Sequence, residues 1–234
     1  WYLEIRSTPR PLSDFEFSPG ELTTVLRVPA GCRAYGRVLN TSETTEFVSP
    51  VPIDASLSRY VEVIFAEICN FVRPVSTTGI GPGRCVVRLL LSIDRAKADK
   101  NQVEKILAVA SVWRNIHVPT TVSGSGTLPD TVVFSALLVG IDVSGDPTKG
   151  NLPQVLNTIS AVLDDSCSGK RRLPVSVHAG EVMNVMETQK VLQWRPERLG
   201  HMCVLSHSSL SVMLQNSTGM PRIPLELCPS SNMA

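Results

Sequence analysis

The stretch LPVSVHAGEV, residues 173–182, decides which fold this sequence favours. Its first half is an apolar run typical of a strand, and the run stops at His178. The small residues Ala179 and Gly180 follow and allow the backbone to approach a bound molecule closely. A neutral imidazole at a strand end can bind zinc, and the carboxylate of Glu181 can transfer a proton. The same spacing also occurs where a histidine caps a helix or hydrogen-bonds within a core, so this stretch alone leaves the function open.

Strand-like and helix-like segments alternate along the rest of the chain. Further apolar runs of strand type cover residues 2–6, 85–92, 131–142, 198–201 and 224–228. Apolar residues at helical spacing recur in residues 56–71, 100–113, 151–163, 181–193 and 206–215. Such alternation with short connections predicts an α/β fold with parallel strands.

The polar residues that follow these strands distinguish an open sheet from a closed barrel. They are Ser7, Asp94, Asp142, His178, His201 and Glu226. A (β/α)8 barrel builds its site from the carboxyl ends of many strands, whereas the GxGxxG of a dinucleotide-binding sheet is missing after the first strand. We therefore predict a TIM-type (β/α)8 barrel, incomplete here because the first and last strands are expected beyond the chain.

The prediction treats residues 1–234 as a single barrel domain. Two stretches fit its pattern poorly: residues 14–52 are rich in Ser, Thr, Gly and Pro, and residues 119–130 are a polar Gly/Ser segment. Long loops of this kind are uncommon unless they are functional or disordered. We interpret both as surface insertions.

Charge and composition narrow the class of partner. The 234 residues carry 22 basic and 21 acidic side chains, so electrostatic binding of nucleic acid or of an anionic membrane is not expected. No apolar run approaches the roughly 18 residues of a membrane helix, and no signal peptide is recognised. The six scattered cysteines lack a CxxC pair and are predicted to be reduced, as in a cytosolic protein. A small molecule is the expected partner.

The order of the motifs adds a family resemblance. The chain resembles the adenosine/AMP deaminase family of the metal-dependent hydrolase superfamily, and within it the adenosine deaminase-like branch that acts on N6-methyl-AMP. The motifs that carry this resemblance are STPR (7–10), LLLSIDR (89–95), VGIDVSGDP (139–147), VHAGE (177–181), RLGH (198–201) and IPLELCPSSN (223–232).

The resemblance implies a reaction and a site. It implies a monomeric enzyme with one zinc ion that hydrolyses N6-methyl-AMP to IMP and methylamine. His178 is then a zinc ligand, Glu181 donates a proton to the purine ring from the first turn of the next helix, and His201 orients and deprotonates the attacking water. Gly145 gives its backbone amide to the purine, and Asp94 contacts the nucleotide. The 5′-phosphate is held by the loop of Ser7, Thr8, Pro9 and Arg10.

The chain also departs from the family pattern. The family's His-x-His and Asp-Asp zinc-site pairs are expected outside this chain, which leaves His178 as its one zinc ligand and predicts that the isolated chain is inactive. Met202 stands where the family has a small residue and could crowd His201. Three alternatives therefore stay open: an adenosine deaminase, a truncated inactive relative that only binds, or another metal-dependent barrel hydrolase.

Overall fold

The computed structural model describes residues 2–9, 21–30, 32–40, 44–72, 86–122, 131–164, 173–214 and 222–229. The chain divides into two compact units. The first consists of Trp1–Leu90 and Ala108–Val139, and the second of Leu91–Leu107 and Gly140–Ala234.

Strands and helices in the described residues are numbered in chain order. The strands are β1 (Tyr2–Ser7), β2 (Leu22–Arg27), β3 (Arg33–Ala34), β4 (Val38–Asn40), β5 (Thr45–Asp54), β6 (Val86–Asp94), β7 (Ile116–Val122), β8 (Thr131–Ala136), β9 (Leu138–Ser144), β10 (Val175–Ala179), β11 (Arg198–His201) and β12 (Leu225–Glu226). The helices are α1 (Ala55–Val72), α2 (Lys100–Trp113), α3 (Leu152–Asp164), α4 (Val185–Trp194) and α5 (His207–Leu214).

The first unit is built mainly from antiparallel sheet and helix α1. Strands β2, β5 and β4 form one three-stranded sheet, strands β3, β7 and β8 form another, and β1 lies beside β6. Helix α1 starts where the Asp54 carboxylate accepts a hydrogen bond from the Leu57 amide, as an N-cap does. Its apolar face buries Phe65 against Trp113, with ring centroids 4.9 Å apart. The indole of Trp113 donates to the Ser58 hydroxyl, so the largest buried side chain also satisfies its polar atom.

Two sequence-based expectations for this unit need correction. Strands β2 to β5 occupy most of residues 21–54, where a long irregular loop was expected, while the interpretation of residues 14–52 as a surface insertion stays a prediction. The apolar run 131–142 forms two strands and not one. Strand β8 ends at Ala136 and pairs with β7, whereas β9 begins at Leu138 and lies between β6 and β10 in the six-stranded sheet. A continuous apolar run has no break in periodicity that would reveal such a change of sheet. The stretch 119–130 begins within β7, and residues 123–130 lie outside the described part of the chain.

The second unit carries the parallel sheet that the sequence predicts. Its strand order is β6-β9-β10-β11-β12, and β10 pairs in parallel with both β9 and β11. Helices α3, α4 and α5 connect successive strands from β9 to β12, which is the βαβ arrangement. All five residues of β10 are buried, as expected for a strand covered on both faces. The mixed α/β class with parallel strands is thus confirmed, and the closed barrel stays a prediction.

None of the described helices combines the length and the apolar content that crossing a bilayer requires.

Candidate functional site

The site is built where β10 and β11 end side by side in the second unit. In their parallel register His178 pairs with Gly200 and Ala179 pairs with His201. This register brings the two imidazoles together, with ring centroids 5.0 Å apart. A side chain at Gly200 would place its Cβ 2.7 Å from Cγ and Nδ1 of His178, so only glycine leaves room for this ring. Both histidines are among the site residues predicted from the sequence, whereas the glycine that accommodates one of them is not.

Two carboxylates flank His178. Its Nε2 lies 3.2 Å from Oδ1 of Asp142 and 3.6 Å from Oε2 of Glu226. Asp142 is 1% exposed, and its other oxygen accepts a hydrogen bond from the Ser92 hydroxyl. A carboxylate beside an imidazole nitrogen fixes the orientation of the ring, which is the usual support of a metal-binding histidine.

Glu226 also contacts other polar groups of the sheet. Its carboxylate forms an ion pair with Arg198 and accepts a hydrogen bond from the Ser176 hydroxyl at 3.3 Å. The sequence placed Asp142 and Glu226 at strand ends without assigning them to the site. Their positions on strands next to β10 and β11 are the signal that could have found them.

Glu181 and His201 meet above the strand ends. Nε2 of His201 lies 3.4 Å from Oε1 of Glu181, whose side chain is 23% exposed. Glu181 is not in the first turn of the next helix, as expected, but in a bend before it. Helix α4 begins at Val185, with the Asn184 side chain accepting from the Glu187 amide as N-cap. The extra loop residues let the Glu181 carboxylate turn back toward β11.

Backbone contacts hold this arrangement in place. The Met202 amide donates to the Ala179 carbonyl at 3.0 Å, and the Val204 amide donates to the Gly180 carbonyl at 2.7 Å. His201 and Met202 have φ values of 64° and 53°, which non-glycine residues seldom adopt. Such conformations persist where surrounding contacts impose them and often occur at functional sites.

A third donor joins the two histidines. One ligand atom each of His178, His201 and Cys228 lie within 4.8 Å of one another, and the described residues contain this group as a possible metal site. Imidazole nitrogen and thiolate sulfur are donors that zinc accepts, so the donor set fits a zinc ion. His178 alone was predicted as a zinc ligand from the sequence, and Cys228, which follows β12, was not anticipated.

Two predicted substrate-binding residues, Asp94 and Gly145, also lie together. Gly145 has φ 120°, and a Cβ there would lie 2.5 Å from Oδ1 of Asp94. The Arg95 amide donates to the Ser144 carbonyl and joins the ends of β6 and β9. Oδ1 of Asp94 accepts from the Ala96 amide, and its Oδ2 lies 3.2 Å from the Lys97 ammonium. The structure therefore gives Asp94 a turn-forming role beside the glycine.

The predicted phosphate-binding loop belongs to the first unit. The Ser7 hydroxyl, at the end of β1, forms a hydrogen bond with the Tyr60 hydroxyl. Thr8 is half-buried and Pro9 is buried, while Arg10 lies outside the described residues.

A buried ion pair next to the site was not anticipated. The Arg95 guanidinium and the Glu187 carboxylate are 3% and 9% exposed and make two parallel contacts, one of them 2.8 Å long. The same guanidinium donates from Nε to the Lys149 carbonyl. The pair connects the loop after β6 with the first turn of α4. The bend that contains Glu181 lies just before this helix.

Comparison with known proteins agrees with the resemblance that the motifs indicated. Curated proteins named N6-methyl-AMP deaminase include one from Mus musculus, 35% identical over 175 residues, which are 73% of the chain and 46% of the relative. One from Arabidopsis thaliana is 30% identical over 155 residues, or 66% of the chain and 35% of the relative. The chain thus spans about a third to a half of the length of the curated relatives it matches. No family model matches the chain.

Solved structures show the same likeness in the fold. The crystal structure of an Arabidopsis N6-mAMP deaminase aligns with a TM-score of 0.58 at 22% identity, over 99% of this chain and 48% of that one. Structures of Arabidopsis ADAL complexed with GMP and with IMP align equally well. At this identity the likeness concerns the fold, which is the mixed α/β arrangement described above.

Proposed function

We propose that this chain carries part of the active site of a zinc-dependent aminohydrolase that converts N6-methyl-AMP and water to IMP and methylamine. The observation that carries the proposal is the convergence of His178, Glu181 and His201 at the ends of two neighbouring strands, with the Glu181 and His201 side chains 3.4 Å apart. Curated relatives named for this activity support the choice of reaction.

The metal site is the first part of the proposal. His178 would hold the zinc ion, supported by the Asp142 carboxylate at its Nε2. When bound, zinc would lower the pKa of a water molecule toward neutrality and so supply a nucleophile. Cys228 is a further donor within reach. Because His201 is assigned to the water, the donors of this group that remain among the described residues are His178 and Cys228, fewer than the three protein ligands of a catalytic zinc site. The other ligands are therefore proposed to lie outside this chain, and the isolated chain is proposed to be inactive.

Glu181 and His201 are proposed to move the protons. His201 would orient the attacking water and accept its proton, while Glu181 would donate a proton to the purine ring nitrogen next to C6. The water oxygen would then add at C6, the C6–N6 bond would break, and the amine would leave with the proton that His201 accepted. The second proton of the water would return to Glu181. The short distance between these two side chains supports the assignment, because each must act on the same ring carbon or its neighbour.

The remaining predicted residues would bind the nucleotide. Gly145 would donate its backbone amide to the purine with Asp94 beside it, since the absence of a side chain at Gly145 lets the Asp94 carboxylate lie against this backbone. Ser7, Thr8, Pro9 and Arg10 would form the phosphate-binding loop, for which hydroxyls and a guanidinium are suitable donors.

The scope of the proposal follows the sequence predictions. Residues 1–234 would form a single domain that is part of a (β/α)8 barrel, with surface insertions at 14–52 and 119–130. The parallel order of β9 to β12 and the likeness to deaminase structures support this proposal. The protein would be a cytosolic monomer that binds a small nucleotide.

The proton-donor role of Glu181 gives the first test, made on the longest form of the protein that turns over N6-methyl-AMP. Glu181→Gln should lower kcat by about 100-fold or more, because a positioned general acid contributes at least that factor. The control is Glu104→Gln on the exposed face of α2, which should keep the activity of the parent protein. Near-normal kcat in Glu181→Gln would contradict the proposed role.

The choice between nucleotide and nucleoside is tested at Arg10. Arg10→Ala should lower kcat/KM for N6-methyl-AMP by about 30-fold, as the loss of a charge-assisted contact of about 2 kcal/mol predicts. Activity on the corresponding nucleoside should not change. An equal loss for both substrates would favour the adenosine deaminase alternative.

A further inference from the structure

Two cysteines of the first unit are brought into contact by the fold. Cys32 lies in the turn after β2, where its amide donates to the Pro29 carbonyl, and Cys69 lies near the end of α1. Their Sγ atoms are 2.7 Å apart, although 37 positions separate them along the chain. Sulfur atoms of two thiols this close can form a bond with little further movement.

The two thiols differ in their access to solvent. Cys69 is 1% exposed and packs within α1 near the buried Phe65 and Ile68, whereas Cys32 is half-buried. A dissolved reagent can therefore reach Cys32 first. Cys69 is held in a helix directly behind it, in position to react as the second partner.

We propose that Cys32 and Cys69 form a disulfide-forming site that a small-molecule disulfide such as oxidised glutathione converts to an intramolecular bridge. The Cys32 thiolate attacks the oxidant, breaks its S–S bond and releases one glutathione thiol, which leaves a mixed disulfide on Cys32. The Cys69 thiolate then attacks Sγ of Cys32 and releases the second thiol. The protein loses two electrons and two protons, and the oxidant gains both. The site is independent of the proposed deaminase activity, since neither cysteine belongs to the His178 group.

The bridge would tie the turn after β2 to the end of α1. It would close a loop that contains β3, β4 and β5, so the oxidised protein should resist unfolding better than the reduced protein. We expect the bridge to raise Tm by roughly 5–10 °C.

The experiment uses the reduced full chain, incubated with oxidised glutathione, alkylated and digested without reductant. Mass spectrometry should find the Cys32 peptide linked to the Cys69 peptide. Cys69→Ser should instead retain a glutathione adduct on Cys32, and Cys32→Ser should show neither product. Cys203→Ser is the matched control, because it removes an exposed cysteine and should leave the link intact.

Several results would overturn the proposal. One is a persistent glutathione adduct on Cys32 in the chain that still has Cys69, and another is a link from Cys32 to a different cysteine or to a second chain. Equal yields of the link from folded and from denatured chain would also contradict it, because the fold would then contribute nothing. Cys32→Ser cannot form the bridge but keeps the buried Cys69 side chain, so it creates no cavity in the core. Its Tm should not change on oxidation. A wild-type Tm that is unchanged or lower after linkage would mean that the fold is not built for the bridge.

Discussion

The two units bury different kinds of side chain. The interior of the first is mainly apolar and aromatic, as in the contact between Phe65 and Trp113, and Asp54 at the start of α1 is its buried charged residue among those described. The interior of the second also contains charged and titratable groups, among them Arg95, Asp142 and His178. Each of these polar groups faces an oppositely charged or hydrogen-bonding neighbour. Buried polar groups are costly unless they are paired, so a unit that keeps several of them together is where chemistry is expected.

The strand arrangements explain this difference. The carboxyl ends of parallel strands meet at one edge, and side chains from β9, β10, β11 and β12 converge there. The antiparallel strand β2 is instead mostly exposed, with Thr23 half-buried and Leu26 buried. Of these two arrangements, the parallel one concentrates functional groups from several segments of the chain at one edge.

The largest effect is expected from breaking the buried ion pair of the second unit. Glu187→Gln keeps the shape of the side chain but leaves the Arg95 guanidinium buried without a neutralising charge. The free energy of unfolding should fall by about 3–5 kcal/mol, measured by urea denaturation. The matched control is Glu104→Gln, which breaks the exposed contact with Lys100 and should cost less than about 1 kcal/mol. Similar decreases in the free energy of unfolding of both variants would mean that breaking a buried ion pair in the second unit costs no more than breaking an exposed one.

A smaller effect is expected from one glycine in each unit. Gly200→Ala would push a methyl group against the His178 ring, and Gly36→Ala would push one against the Phe47 ring at 2.6 Å. Each should lower the free energy of unfolding by about 1–3 kcal/mol, as overpacking does. Only Gly200→Ala should shift the imidazole C–H resonances of His178 in the NMR spectrum. If Gly36→Ala shifted the His178 resonances by the same amount, the expectation that this glycine affects only the packing of its own unit would be wrong.

Much of the fold could be predicted where local signals agree. Helix α2 begins and ends at the expected residues because its apolar spacing is regular and Asp99 caps it, accepting from the Gln102 amide. Strand β11 was predicted equally well. The strands in residues 21–54 were missed because their faces are poorly segregated and prolines interrupt β5. The start of α4 was placed too early, although Asn184 is a recognisable N-cap residue.

The site could be predicted only as far as motifs identify single residues. His178, Glu181 and His201 were named, and the structure brings them together. Gly200 and Cys228 were not, because their proximity depends on which strands are neighbours and in which register. Sequence spacing carries no information on register between strands that helices separate.

The smallest effects concern pH, and the two units should respond with opposite signs. Burial raises the pKa of Glu62 in α1 above 4.5, and the nearby Arg59 and Arg27 only partly oppose this. Because the folded state then binds more protons than the unfolded state, stability should fall as pH rises from about 4.5 through the folded pKa. In the second unit, hydrogen bonds from Thr148 and Lys149 lower the pKa of Asp146 below 3.8. Its contribution should be complete above pH 3.8 and disappear as pH falls through the folded pKa.

Urea denaturation of two isosteric variants across this pH range separates the two contributions. Glu62→Gln should flatten the decline of stability above pH 4.5, by less than about 1 kcal/mol because the side chain stays partly exposed. Asp146→Asn should flatten only the rise of stability near and below pH 3.8. If both variants changed the same limb of the profile, the opposite signs would be wrong. Such a result would mean that burial does not outweigh the two arginines at Glu62, since the Asp146 contribution rests on hydrogen bonds that the turn itself supplies.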